Sequence, residues 1–336
     1  MSGLGLSGRK PLVLVTGATG FVGRTVLPRL LESGYRVRAA LRRPAPLPAG
    51  IGAVTVGELG SATDWRPALA GVDLVVHLAA RVHVMGEATG KAGADAAGHY
   101  HRTNVEGTRR LAEAAVAAGV RRFLLMSSVK ALGEGAAGTR RREPLTETTP
   151  PAPTDPYGRS KLEAEAALRQ AAGAVMGWVV LRPPLVYGPG VGANFLKLLR
   201  LSRSGLPLPL AALDNRRSLV FVGNLADAAC TALSHPGAAN RAFLVHDGPA
   251  LTVPELIRRL ARHFGRPARL FPVPQAALRL AAAGLGARDA FERLCGSLEV
   301  DDSALRHATG WVAPVGVDDG LAATVAWYLG TSPHRR

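Results

Sequence analysis

Apolar positions in the first half of this chain form short runs separated by segments of helical period. Leu12 to Thr16, Arg36 to Leu41, Ala53 to Val56, Leu74 to Ala79 and Phe123 to Ser127 are rich in Val, Leu and Ala. Runs this short and this apolar predict strands buried on both faces. Between them, Leu27, Leu30 and Leu31 repeat at helical spacing, as does the stretch from about His99 to Ala118. The alternation predicts an α/β fold, a doubly wound parallel sheet with helices on both faces. Such sheets bind ligands beyond the carboxyl ends of their strands. Gly17, Ala79, Ser128 and Arg182 all fall at such ends, so one cleft is expected.

After Tyr187 the pattern changes. Asn194 to Leu201 predicts a helix, Leu206 to Leu210 a Pro-containing linker, and Leu219 to Phe221 a strand returning to the main sheet. Phe243 to His246, a helix from Val253 to Phe264, and helices after Pro274 and Asp301 complete a smaller C-terminal α+β lobe. The expected division is a flexible terminus at 1–10, a first domain at 11–187 joined by strand 219–221 and its adjoining helix, and a second lobe at 188–330. Gly133 to Pro156, rich in Gly, Pro, Thr and Arg, is expected to be a surface loop that reaches the cleft.

Two motifs carry chemistry. Gly17-Ala18-Thr19-Gly20-Phe21-Val22-Gly23 follows the first strand and opens the first helix. Glycines there let the backbone approach a pyrophosphate, the helix N-terminus offers it N–H groups, and Gly23 permits close helix-to-sheet packing. The second motif is Tyr157-Gly158-Arg159-Ser160-Lys161. Positions i and i+4 share a helix face, roughly 6 Å apart, so Lys161 is expected beneath Tyr157. An ammonium there lowers a phenol pKa that starts near ~10.

With these motifs the chain resembles the extended short-chain dehydrogenase/reductases, and among them the NAD(P)-dependent epimerase/dehydratase group that acts on nucleotide sugars. Further matches are His77-Leu78-Ala79-Ala80, Ser127-Ser128, Asn104 and Arg182-Pro183-Pro184-Leu185-Val186-Tyr187-Gly188-Pro189, so the likeness runs from about Pro11 to Leu329. It implies a Rossmann-type nucleotide domain and substrate binding in the second lobe. It also implies Ser128, Tyr157 and Lys161 as the catalytic set. Cofactor contacts are implied for Gly17, Thr19, Gly20, Phe21, Val22, Gly23, Leu59, Leu78, Ala79, Ala80, Asn104, Tyr157, Lys161 and Pro184. Substrate contacts are implied for Arg81, Ser128, Lys130, Asn194 and Arg217, with Arg216 the alternative to Arg217. Asn104 has a structural alternative between helix and strand, and Lys130 a solvated one. His77 and His83 are expected to be satisfied by neighbours rather than to act as acids or bases.

The resemblance also sharpens cofactor and reaction. Family members that use NAD commonly carry an acid at the end of the second strand, but here Leu41 is followed by Arg42 and Arg43, with no Asp or Glu from Tyr35 to Gly50. Guanidiniums suit a 2′-phosphate, so NADP(H) is favoured over NAD(H). Glu58 takes the place of an aspartate that meets the adenine. Sugar 4,6-dehydratases place Asp-Glu after the catalytic Ser or Thr; Val129-Lys130 stands here and argues against dehydration. The leading expectation is a 4-ketoreductase of a UDP-4-keto-6-deoxy-N-acetylhexosamine serving surface polysaccharide synthesis. The alternative is a UDP-hexose or N-acetylhexosamine 4-epimerase; a non-catalytic nucleotide-binding protein is the distant one.

Composition narrows the rest. The chain has 336 residues, is 47% hydrophobic and carries a net charge of +16, which admits nucleic acid, an anionic membrane surface or phosphorylated ligands. Of its 41 basic residues 36 are Arg, scattered among Ala, Gly and Pro without an aromatic-interleaved block, so nucleic acid is not an expected partner. Cys230 and Cys295 are far apart with no ligand pair nearby, which predicts neither a metal site nor a disulfide. Two thiols and no apolar leader or long apolar stretch lead to a cytoplasmic protein without stable membrane insertion, though peripheral membrane contact stays open. By resemblance, helices near His99 to Ala118 and Pro156 to Ala172 are expected to form a homodimer interface.

Overall fold

The computed structural model describes residues 9–82, 97–133, 143–284, 286, 291 and 295–331. His83, residues 1–8 of the N-terminus and residues 134–142 of the Gly- and Pro-rich loop lie outside that set. Seven parallel strands form the central sheet: β1 (Leu12–Thr16), β2 (Arg36–Leu41), β3 (Ile51–Thr55), β4 (Leu74–His77), β5 (Arg122–Met126), β6 (Gly177–Arg182) and, beyond three short strands, β10 (Arg241–Leu244). Their order is β10-β6-β5-β4-β1-β2-β3. The strand order reverses between β1 and β4, so a crevice opens beyond their carboxyl ends. Gly17 and Leu78–Ala79 stand there.

Alternation along each strand sorts side chains to the two faces. Val13 and Val15 join the core under α1 (Phe21–Glu32), while Leu12 and Leu14 join the opposite core with Leu111, Ala115 and Leu168. The second lobe has its own core of Tyr187, Phe195, Leu199, Ile257, Leu260 and Val325.

Three sequence expectations change. Leu219–Phe221 does not return to the main sheet; as β9 it pairs with β7 (Leu185–Tyr187), in register Leu185 to Leu219. Pro183 and Pro184 follow β6, and a residue without an N–H cannot continue a ladder, so the chain leaves the sheet there. The helix that follows, α6 (Val222–Ser234), does pack beside α1 on the sheet. Phe243, expected in the second lobe, instead lies in β10 at the edge of the main sheet, paired with Leu181. Its side chain completes the core beneath α6, a long-range contact that a four-residue run does not announce. Finally, the helix ending at Ala117 is interrupted by a π-helical turn, His101–Glu106, before α3 (Gly107–Ala117). Asn104 sits on that turn.

Candidate active site

The glycine loop is shaped by close approach. Gly17 adopts φ +69°, and a Cβ on it would stand 2.7 Å from the Ala79 nitrogen. A Cβ on Gly23 would meet the Gly17 carbonyl at 2.2 Å, so α1 lies against the loop only because position 23 has no side chain. Gly20 caps α1 without a side-chain hydrogen bond, and no acid occupies the first turn. The N-terminal N–H groups at Phe21 and Val22 are therefore left for an anion, which is the fit a dinucleotide diphosphate requires. The turn at Gly190 approaches the Phe21 ring from the second lobe: a Cβ on Gly190 would stand 3.6 Å from its Cδ2.

At the far edge of this cradle Arg42 follows β2 and meets Glu58 in an exposed ion pair of 3.5 Å. Arg43 is exposed beside it, and Thr63 Oγ1 donates to the Glu58 carbonyl at 2.9 Å, fixing the turn that carries Glu58 and Leu59.

Tyr157 and Lys161 lie on α4 (Pro156–Ala172). Asp155 caps this helix by accepting the Gly158 N–H at 2.7 Å, with Pro156 at the first helical position. Gly158 has to be glycine: a Cβ there would stand 2.5 Å from the Lys130 carbonyl oxygen. Helix α4 is thereby pressed against the short helical turn Val129–Ala131, and the Ser128 hydroxyl at its start accepts the Lys130 N–H at 3.3 Å and stands close enough to Tyr157 to favour its ionised form. The Tyr100 ring packs edge-on to Tyr157, with centroids 6.0 Å apart.

The electrostatics differ from the sequence expectation. Lys161 Nζ is 5.9 Å from the Tyr157 ring centroid and donates to the Met126 carbonyl at 2.8 Å. Tyr157 is not acidified; burial first, then the Asp155 carboxylate, holds its pKa above the usual phenol value, and the nearby Ser128 hydroxyl offsets only part of this. Lys161 is itself pushed down to about 8 by burial, against the pull of Glu165. The reason is shared burial: an ammonium turned toward a backbone carbonyl in the same dry wall cannot outweigh the loss of water around the phenol.

Asn104, open in the sequence between a cofactor contact and a structural role, has a structural one here: Oδ1 accepts the Arg81 N–H at 2.8 Å, and Nδ2 donates to the Arg81 carbonyl at 3.1 Å and Ser160 Oγ at 2.9 Å. It ties the strand end at Leu78–Ala80 to the helix bearing Tyr157. His77 is buried between Thr16 and Thr108 at 2.7 and 3.1 Å and is driven down to about 3 by burial, which leaves it neutral. Lys130 forms an ion pair of 2.7 Å with Asp155, so its ammonium steadies the Tyr157 helix rather than standing in solvent.

The sequence reading missed what lies behind the pair. Glu165, one turn beyond Lys161, is fully buried and accepts Ser127 Oγ at 2.6 Å and the Arg182 guanidinium at 2.9 and 2.6 Å. The i+4 spacing from Lys161 to Glu165 was the available signal. This network joins the ends of β5 and β6 to α4, and Pro184 is buried just after it.

In the second lobe, Asn194 falls in the first turn of α5 (Ala193–Ser204); its side chain lies outside the described set. Arg217 is on β8 (Arg216–Arg217), paired with β11 (Leu251–Thr252) in register with Leu251. The Glu255 carboxyl is held below its usual range first by the Thr252 backbone N–H and also by Arg216 nearby.

Three comparisons agree with this architecture. A UDP-glucose 4-epimerase of Vibrio cholerae is 39% identical over 320 residues, covering 94% of this chain and 95% of that protein. The solved structure of MoeE5 with UDP-glucuronic acid and NAD superposes with a TM-score of 0.72 at 27% identity, covering 95% of this chain and 99% of that one. A UDP-glucose 4-epimerase of Thermotoga maritima has the same fold, with a TM-score of 0.73 at 22% identity over 95% of this chain and 99% of that one. Residues 13–245 match the NAD dependent epimerase/dehydratase family, and the chain belongs to it.

Proposed function

We propose that the chain is an NAD-dependent 4-epimerase of a UDP-hexose or UDP-N-acetylhexosamine. The observation that carries this reading is Ser128 beside Tyr157, with Lys161 one turn on and its Nζ 5.9 Å from the Tyr157 ring, next to a glycine cradle suited to a dinucleotide. When bound, NAD supplies a nicotinamide C4 that takes and returns a hydride. The chain's own residues handle the proton and the orientation. Tyr157 takes the C4 hydroxyl proton as the hydride leaves and returns it as the hydride comes back, acting as phenolate in the first half and phenol in the second, and Ser128 holds the same oxygen. Lys161 positions the cofactor ribose and lends positive charge to the phenolate that forms. Gly17, Thr19, Gly20 and the N–H groups at Phe21 and Val22 hold the diphosphate. Leu78, Ala79, Ala80 and Pro184 line the nicotinamide side, and Glu58 and Leu59 the adenine side. By the family resemblance Arg81, Asn194 and Arg217 are the substrate-side residues, with the Arg217 guanidinium suited to grip a diphosphate.

One observation favours the reductase reading instead. Arg42 and Arg43 stand where NAD users of the family carry an acid, which suits NADP(H) and a 4-keto-6-deoxy sugar. The nucleotide released from gently purified, then denatured, protein separates the two. Stoichiometric NAD with interconversion of UDP-glucose and UDP-galactose, or their N-acetylated forms, supports the epimerase. Empty protein that oxidises NADPH with a UDP-4-keto sugar overturns it. The same reading includes a homodimer built on the helices of 97–117 and 156–172, which light scattering tests.

A further inference from the structure

One stretch of surface outside the cleft breaks the charge pattern of the chain. From Leu270 to Gly284 the sequence is Leu-Phe-Pro-Val-Pro-Gln-Ala-Ala-Leu-Arg-Leu-Ala-Ala-Ala-Gly, in which Gln275 and Arg279 are the polar positions. Its helix, α8 (Gln275–Gly284), buries no residue. Leu280 is 77% exposed and Phe271 is 45% exposed. Leu278 is partly buried against the second-lobe core and anchors the helix there.

The segment has an apolar neighbour. Leu208 donates its N–H to the Arg269 carbonyl at 2.8 Å, and Phe271 returns one to the Leu208 carbonyl at 3.0 Å. Leu206, two residues before the paired Leu208, is 62% exposed. Guanidiniums border the segment: Arg262, Arg266 and Arg269 are exposed. Arg266 donates to the Arg203 carbonyl at 2.5 Å, next to Leu206. From Lys197 to Arg279 the chain carries 12 Lys and Arg against 4 Asp and Glu.

A helix in water presents charges on its outer face, and one that is apolar almost all round needs a nonpolar cover. Among the described residues no helix is long and apolar enough to cross a membrane. Ten residues of helix extend about 15 Å, half the thickness of a hydrocarbon core. Shallow insertion fits these dimensions, with leucine and phenylalanine among acyl chains and the arginine stems reaching back to headgroup phosphates.

We propose that Leu206, Phe271 and α8, with Arg262, Arg266 and Arg269 beside them, form a docking surface for an anionic phospholipid bilayer. Charge complementarity selects this occupant. A two-fold partner, a second copy of this chain, would set the same guanidiniums against each other in a molecule already carrying +16. The surface is independent of the sugar-nucleotide reading, because activity on a soluble UDP-sugar is measured without vesicles.

The test is co-sedimentation of the full chain with phosphatidylcholine vesicles with and without phosphatidylglycerol. Binding should be at least ~10-fold stronger with the anionic lipid and should weaken as salt is raised. Phe271→Asp with Leu280→Asp, both at exposed positions, should reduce it by about 10-fold or more without changing the thermal melt. Arg266→Ala and Arg269→Ala should each cost roughly fivefold. Equal binding to neutral vesicles, no binding to anionic ones, or undiminished binding of the Asp variant would each overturn the proposal. So would a stable dimer that the Asp variant splits, since the cover would then be a second copy.

Discussion

Two arginine–glutamate pairs flank the cofactor cleft and behave as opposites. Arg182 and Glu165 are 5% and 0% exposed and meet through two short hydrogen bonds, whereas Arg42 and Glu58 are 66% and 75% exposed and stand 3.5 Å apart. The buried pair has no water to fall back on, so its geometry is enforced and it fixes the wall that carries Lys161 and Ser127. The exposed pair is screened and replaceable, leaving Arg42 able to exchange a carboxylate for a phosphate. The same chemistry therefore builds a rigid reaction wall on one side and an adjustable recognition edge on the other.

The comparison can be broken first at the wall itself. Tyr157→Phe should lower turnover by roughly 10²–10⁴-fold while cofactor binding, followed by fluorescence, stays near wild type. Full activity in that variant would remove the proton role assigned to Tyr157. Next, Glu165→Gln should destabilise folding by about 3–5 kcal/mol in urea titration, because it leaves Arg182 buried without its counter-charge. Glu165→Leu with Arg182→Met removes both charges together, and recovery of much of that loss would show that the cost lies in the unpaired guanidinium.

A third measurement uses pH. Lys161 titrates near 8 in the folded wall, so turnover should fall as pH rises past about 8 and the ammonium is lost. Lys161→Arg keeps its charge at any accessible pH and should lose that alkaline limb, whatever its absolute rate. His77 moves the other way. Its folded value of about 3 lies below the unfolded 6.5, so the unfolded chain binds the proton first and stability falls as pH drops from 6.5 toward 3. Unfolding free energy measured across that window should slope upward with pH, and His77→Gln should flatten the slope.

The smallest effects belong to the exposed edge. Glu58→Ala should change stability by less than about 0.5 kcal/mol. Arg42→Ala with Arg43→Ala should weaken NADPH about 10-fold more than NADH; equal losses would show that neither guanidinium reads the 2′-phosphate.

Local signals made much of this legible. The apolar runs ending at Gly17, Ala79 and Ser128 placed three sheet ends in one cleft, because strand period and glycine turns are written in neighbouring residues. Asp155 before Pro156 carries a helix-cap signal that the sequence reading left unused and the structure bears out. Glu165 was visible at helical spacing from Lys161, but nothing nearby indicated that Arg182, seventeen positions later, would meet it. Asn104 showed the same limit: its two partners lie at Arg81 and Ser160, and only folding brings them together.

The sequence by itself determined the parallel α/β core, the glycine cradle and the Tyr157–Lys161 spacing, since each depends on backbone geometry repeated over a few residues. Tertiary structure alone decided that β9 pairs with β7 and that Phe243 closes the sheet edge, both through contacts between distant segments. It also decided the sense of the Tyr157 shift. A pair of residues announces an interaction, but its direction depends on how much water the surrounding chain removes, and here burial, with the Asp155 carboxylate, raises the phenol.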